Sequence, residues 1–318
     1  MKALIFHGPE DIRLEDVPRP DPGPGDVLVQ VEVALTDGTD AKAFHRGHPV
    51  LLGPPPSPFG HEFCGVDVAT GQRVVAANSA PCGECGPCRR GRETQCERLF
   101  PLLNGAYAEF LLVPERIVRR NLLPVPPGLA SEVAALVEPL ACCLHGVGRA
   151  GIEPGDTVAI LGAGPVGLML CACVADAGGR PVVVGGRSER RELAHRFGAS
   201  DGLDTADVVI EAAGTEQAWR DAVELVRPGG TVLFFGGLPR GTEVAVDTYR
   251  LHYEELTLRG AFHHTPAAVR AALAFLASGA HPWELLITHR VGLDGVAALL
   301  ADPPRDYLKA AVLPTMSA

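Results

Sequence analysis

At 318 residues the chain is long for one hydrophobic core, so two domains are expected. Its 47% hydrophobic and 21% charged residues are the composition of a globular protein and exclude a disordered chain. A net charge of −10 argues against a nucleic-acid partner, which needs a basic face, while leaving room for a local basic pocket.

The opening "MKALIFHGPEDIRLED" is too charged for a signal peptide. The most apolar window, "TVAILGAGPVGLMLCACVADAG", is studded with glycine and fits a buried strand-turn-helix better than a membrane span. Residues 1–150 read as short strands ("KALIF", "DVLVQVEVAL", "FCGVDVA", "QRVVAANS", "AEFLLVP") separated by Pro and Gly. The segments "PRPDPGPGD" and "LLGPPPSPFG" read as rigid connections. A helical pattern then starts at Ser131, a candidate N-cap.

Within the first half, Cys82, Cys85, Cys88 and Cys96 follow a C-x2-C-x2-C-x7-C spacing inside a glycine-rich loop. Four thiolates saturate a tetrahedral zinc and leave no open position, so this knot reads as structural rather than catalytic. The five other cysteines, Cys64, Cys142, Cys143, Cys171 and Cys173, lie in apolar surroundings and read as buried small hydrophobes. A reducing, cytoplasmic compartment is expected.

After "GIEPGD" the rhythm changes to strand-helix alternation. Strands are expected at "TVAIL", "PVVVGG", "DVVIEA" and "TVLFFGG", with helices near 165–177, 188–197, 215–227 and 266–278. That pattern predicts a parallel sheet covered on both faces. Gly162-x-Gly164-x-x-Gly167 follows the first of these strands and opens a helix. Such a turn cradles a pyrophosphate: Gly162 turns the chain, Gly164 admits the phosphate to backbone N–H groups, and Gly167 lets helix and strand close.

An NAD site carries an acidic residue about 20 residues further on. Here Gly185 and Gly186 occupy that place, followed by Arg187 and Ser188. A guanidinium and a hydroxyl suit a 2′-phosphate, so NADP is expected over NAD.

These landmarks, with "GHE" (60–62), "GAYAEFLLVP", "VEPLACCLHGV", "GAGPVG" and "RFGA", make the chain resemble the zinc-dependent medium-chain dehydrogenase/reductase family, closest in pattern to polyol and glucose dehydrogenases. The resemblance covers nearly the whole chain. It implies an α/β protein with a GroES-like, mostly-β catalytic domain (1–150 and 284–318, with a structural-zinc lobe at 80–98) and a Rossmann-like, doubly wound coenzyme domain (151–283). It further implies that Gly162, Gly164, Pro165, Val166, Gly167, Gly186, Arg187 and Ser188 bind the coenzyme.

By the same resemblance, His61, its neighbour Glu62, and Glu138 of "VEP" belong to a catalytic zinc site. The family's first ligand is a cysteine in a C-G-[ST]-D run, and this chain has "DGTD", placing Asp37 there. Asp is an acceptable zinc ligand that keeps the thiolate's charge. Its harder oxygen predicts weaker zinc binding and wider metal tolerance. Thr39 matches the residue that passes the substrate proton outward, while Lys42 replaces the histidine that often continues the relay, and His45 reads as an exposed loop residue.

The expected activity is hydride transfer between NADP and a hydroxylated small molecule (a polyol, sugar or aminocyclitol), in a homodimer or homotetramer. The alternatives are a metal-independent enone or quinone reductase on the same fold, a simple alcohol or threonine dehydrogenase, and a non-enzymatic zinc-binding module.

Overall fold

The computed structural model describes residues 1–48 and 50–316. The chain forms two compact units, Met1–Ala141 with His264–Ala318, and Cys142–His263. The dividing points differ from the expected 150 and 284. Helix Pro266–Ala277, expected in the coenzyme domain, packs instead against helices Glu115–Asn121 and Ser131–Ala134 of the first unit.

Strand Val27–Leu35 organises the first unit. In "VLVQVEVAL" only Gln30 and Glu32 are exposed, so most of its valines and leucines face the core. It pairs antiparallel with Phe110–Val113, Glu62–Asp67 and Lys309–Val312, inside a seven-stranded sheet. Leu35 lies opposite both Glu62 and Ala311. That register gathers Asp37, His61, Glu62 and Lys309 at one end of the sheet. Phe6, Phe59, Phe63 and Tyr107 fill the adjoining core, which a smaller three-stranded sheet built on Lys2–Gly8 completes.

Helix Ser131–Ala134 starts where the helical pattern predicts, but Ser131 is not its N-cap. Ala130 holds the cap position, and the Ser131 hydroxyl donates instead to Glu32 Oε2 at 2.6 Å.

The second unit is a five-stranded, wholly parallel sheet in the order Arg180–Val184, Thr157–Leu161, Ala206–Glu211, Val226–Phe234, Thr257–Gly260. The four expected strands are present, Val226–Phe234 starting five residues early, and the four-residue Thr257–Gly260 is an addition. Helix Pro165–Asp176 is buried along Gly167–Val174, as a helix between sheet and solvent layer must be when its sequence is apolar all round.

A doubly wound sheet ordinarily carries a third strand outside the second. Here helix Ser188–His195 is followed within residues 196–205 by the next strand, Ala206–Glu211. That connection is too short for a strand and a crossover, which needs at least about 10–12 residues by itself. Arg180–Val184 is therefore an edge, and proline blunts it. Arg180 N donates to Asp156 O and Val184 O accepts from Gly162 N, so residues 180 and 184 face the neighbouring strand. By alternation Pro181 faces outward. It has no N–H, and its carbonyl already accepts from Ser200 N at 2.8 Å.

Pro181→Thr restores an outward donor on this edge. The expected outcome is increased self-association in light scattering at a nearly unchanged melting temperature. An unchanged scattering profile would show that the edge is protected by something else.

Candidate active site

The four cysteines of the knot converge, with sulfur atoms within 4.8 Å of one another. Cys82 Sγ lies 4.0 Å from Cys88 Sγ, and Cys85 Sγ lies 3.9 Å from Cys96 Sγ. Ligands about 2.3 Å from a tetrahedral zinc stand about 3.8 Å apart, whereas a disulfide needs about 2.05 Å. The donor set fits zinc. Backbone N–H groups of Cys82 and Arg98 point at Cys96 Sγ, and that of Cys85 at Cys82 Sγ. Backbone donation, chiefly from Glu84, pulls the Cys82 thiol down to about 6, toward the thiolate a metal takes. The lobe is tied to its unit by Arg120, which donates to Cys82 O, and Asn121, which donates to Ser79 O.

The second donor set lies at the end of the central sheet. Asp37 is the N-cap of helix Gly38–Arg46: its Oδ1 accepts from Asp40 N at 2.7 Å, while Asp40 Oδ2 accepts from Asp37 N at 3.0 Å. The other Asp37 oxygen, Oδ2, is left 3.8 Å from His61 Nε2. Asp40, which sequence reasoning passed over, orients the imidazole, its Oδ1 standing 3.2 Å from His61 Nδ1. Tyr107 fixes Asp40 in turn, donating to its Oδ2 at 2.5 Å. His61 thereby presents Nε2 on the Asp37 side, the arrangement in which a metal-binding histidine is held by a carboxylate behind it.

Burial by itself would pull the His61 imidazole down. Asp40 and Asp37 outweigh it and lift His61 well above the ordinary histidine range, with Glu138 adding to the lift. A cation arriving at Nε2 displaces that proton.

Glu62 is fully buried. Its Oε1 accepts from Lys309 Nζ at 2.9 Å, and Lys309 is itself 1% exposed. Its Oε2 is buried with no hydrogen-bond partner among the described residues, as a ligand oxygen short of its cation would be. Burial pulls Lys309 down, but Glu62 and Asp37 prevail and hold it above its ordinary range. Lys309 was also missed from sequence: it lies 247 residues from Glu62 and reaches it only through strand register.

Asp37, His61 and Glu62 thus come together within 4.8 Å, while Glu138 groups with His264. Thr39 is half-buried in the first turn of helix Gly38–Arg46. His45, in the last turn of that helix rather than in a loop, faces Glu10 at 3.2 Å.

In the second unit the glycine turn has the predicted geometry. Gly162 has φ +121°, and a Cβ on Gly167 would sit 1.9 Å from Gly162 O, so helix and strand close only with glycine there. Gly164 is the N-cap of helix Pro165–Asp176 with open space before it, and Pro165 takes the first helical position. The turn borders a cavity of about 460 Å³ lined also by Val184, Gly185, Gly186 and Ala213, a size suited to a small-molecule ligand. Gly185 and Gly186 both have positive φ, and a Cβ on Gly186 would overlap Ala163. Arg187 is exposed at the N-cap of helix Ser188–His195, Ser188 bonds to Glu189, and Arg191 braces the turn by donating to Gly186 O at 2.6 Å.

Comparison with known proteins finds a match for each half of the chain. The alcohol dehydrogenase GroES-like domain matches residues 23–127, and the zinc-binding dehydrogenase domain matches residues 165–278. L-galactonate-5-dehydrogenase of Escherichia coli (strain K12) is 31% identical, over 91% of this chain and 91% of its own. The chain belongs to the zinc-dependent medium-chain dehydrogenase/reductase family. Erythritol/L-threitol dehydrogenase of Mycolicibacterium smegmatis is 32% identical over 94% of each chain. A zinc-binding dehydrogenase of Sinorhizobium meliloti 1021, solved bound to NADP, superposes with a TM-score of 0.89 at 32% identity, covering 98% of this chain and 99% of that one.

Membership makes the first unit the GroES-like domain and the second the Rossmann-like domain. It makes the chain a zinc-type alcohol, polyol or sugar dehydrogenase acting on CH–OH groups of small hydroxylated molecules.

Lys309→Met removes the cation that balances Glu62. Breaking a buried pair at one end costs about 3–5 kcal/mol, so chemical denaturation should show a loss of that order, partly recovered in Lys309→Met/Glu62→Gln. A loss below about 1 kcal/mol would mean the pair is solvated in solution.

Proposed function

We propose that this dehydrogenase oxidises a secondary or hemiacetal alcohol of a polyol, sugar or aminocyclitol with NADP, using one structural and one catalytic zinc. The carrying observation is the Asp37–His61–Glu62 donor set, with His61 and Glu62 buried and Glu62 Oε2 partnerless among the described residues. Two carboxylates and an imidazole fit zinc with an open position, and Glu138 meets that position directly or through water. Oxygen-rich ligation favours zinc less strongly than a thiolate does, and accommodates other divalent ions.

A bound ion would supply Lewis acidity toward the substrate hydroxyl, lowering its pKa, and the coenzyme would supply the hydride acceptor. The chain's own part is placement and proton handling. Asp40 and Tyr107 fix the imidazole of His61. Thr39 would relay the substrate proton, its hydroxyl accepting it while releasing its own proton outward to water. Gly162, Gly164, Pro165, Val166 and Gly167 seat the pyrophosphate at the start of helix Pro165–Asp176.

For the coenzyme, the end of strand Arg180–Val184 supports NADP: two glycines stand where a ribose-binding carboxylate would be, with Arg187 and Ser188 beside them. The functional unit on this reading is a homodimer or homotetramer.

Arg187→Ala is expected to raise KM for NADP at least about tenfold, the scale of one lost charged contact, while leaving KM for NAD nearly unchanged. Equal effects on both coenzymes would overturn the NADP assignment. Removing the catalytic ion with a chelator should abolish polyol oxidation, reversibly on adding zinc. Activity indifferent to chelation would favour the metal-independent reductase.

A further inference from the structure

Glu138 and Glu62 are both buried carboxylates, yet they are held in opposite ways. Glu62 is anchored by a cation, Lys309, on the sheet. Glu138, in the first turn of helix Val137–Ala150 and 6% exposed, has a histidine beside it instead. His264, 2% exposed, places Nε2 4.0 Å from Glu138 Oε1. The same Nε2 lies 3.2 Å from Oδ1 of Asn78, which is 3% exposed. With the Asn78 amide oxygen as acceptor, His264 carries an N–H at Nε2 that meets Asn78 at hydrogen-bond distance, with the Glu138 carboxylate just beyond it.

Asn78 is itself fixed. Its carbonyl accepts from Leu103 N at 2.6 Å, and it stands four residues before Cys82, at the root of the cysteine lobe. The charge on Glu138 acts on both His61 and Glu62, and its Oε1 faces His264. Three buried polar side chains from three distant parts of the chain (78, 138 and 264) meet here, and burying them unpaired would be costly.

We propose that His264, seated by Asn78, is a positioning residue that holds Glu138 against the open position of the catalytic metal site. This rests on the proposed reading that Asp37, His61 and Glu62 hold a metal whose open position Glu138 meets. Histidine suits the task because its ring directs a donor from a fixed, packed position. The arrangement also gives the cysteine lobe a second consequence: its root carries the side chain that sets His264.

The test is metal affinity, not turnover. Cobalt(II) is titrated into protein whose knot is filled, against a competing chelator, with the visible cobalt spectrum recorded. His264→Ala should weaken the second ion by about 10–100-fold, the usual cost of losing a residue that orients a ligand, and should change its spectrum. His264→Gln, which keeps an N–H donor at the Nε2 place, should recover most of the affinity. His264→Ala/Glu138→Gln should bind no more weakly than Glu138→Gln alone, because the histidine acts through the carboxylate. Retention of the knot's ion and an unchanged melting temperature control for folding. Unchanged affinity and spectrum in His264→Ala, or additive losses in the double variant, would overturn the proposal while leaving the metal site standing. A wild-type chain that binds an ion only at the knot would overturn both.

Discussion

The end of the central sheet gathers charges that no apolar core would tolerate singly. Asp40, His61, Glu62 and Lys309 are each at most 4% exposed, and they persist because each is paired: Asp40 with His61 and Tyr107, Glu62 with Lys309. The pairing depends on register. Leu35 opposes Glu62 on one side and Ala311 on the other, so a slip of either neighbour by one residue would turn Glu62 or Lys309 to the wrong face. Stability and site are thus one problem here. The sheet that holds the fold also delivers the candidate donor groups, and these need the sheet's register to be buried safely.

Asp37 shows how this chain departs from the cysteine pattern of its family without disturbing the scaffold. A thiolate is a poor helix cap, whereas Asp37 caps helix Gly38–Arg46 with one oxygen and leaves the other toward His61. The reciprocal bond from Asp40 ties the cap to the residue that orients His61. Asp37 therefore stiffens the turn it caps and, on the proposed reading, shifts the metal's ligands toward oxygen.

The features legible in the sequence were local ones. Cysteine spacing, the glycine turn after a strand, and the glycines before Arg187 each sit within one loop, where spacing fixes geometry. Lys309, Tyr107 and His264 escaped because their partners lie 247, 67 and 126 or 186 residues away and only topology joins them. Asp40 was within reach: Asp37-x-x-Asp40 has capping-box spacing, a signal masked by attention to Asp37 alone. Strand Thr257–Gly260 is too short to show periodicity, and helix Pro266–Ala277 has the pattern of a coenzyme-domain helix but packs elsewhere. The shortened second unit was not legible from its motifs. The chain passes from helix Ser188–His195 to strand Ala206–Glu211 without an intervening strand, and only the sheet order and outward-facing Pro181 show that the sheet ends there.

The central claim is that one chain holds two unlike metal ions, one in sulfur and one in oxygen and nitrogen. X-ray absorption at the zinc edge, on protein purified without chelator and with its zinc content counted, reads this directly. The account predicts two zinc ions per chain and an average of about two sulfur neighbours per zinc, the mean of a four-sulfur site and a sulfur-free one. One zinc per chain with about four sulfur neighbours would contradict it, leaving only the knot filled.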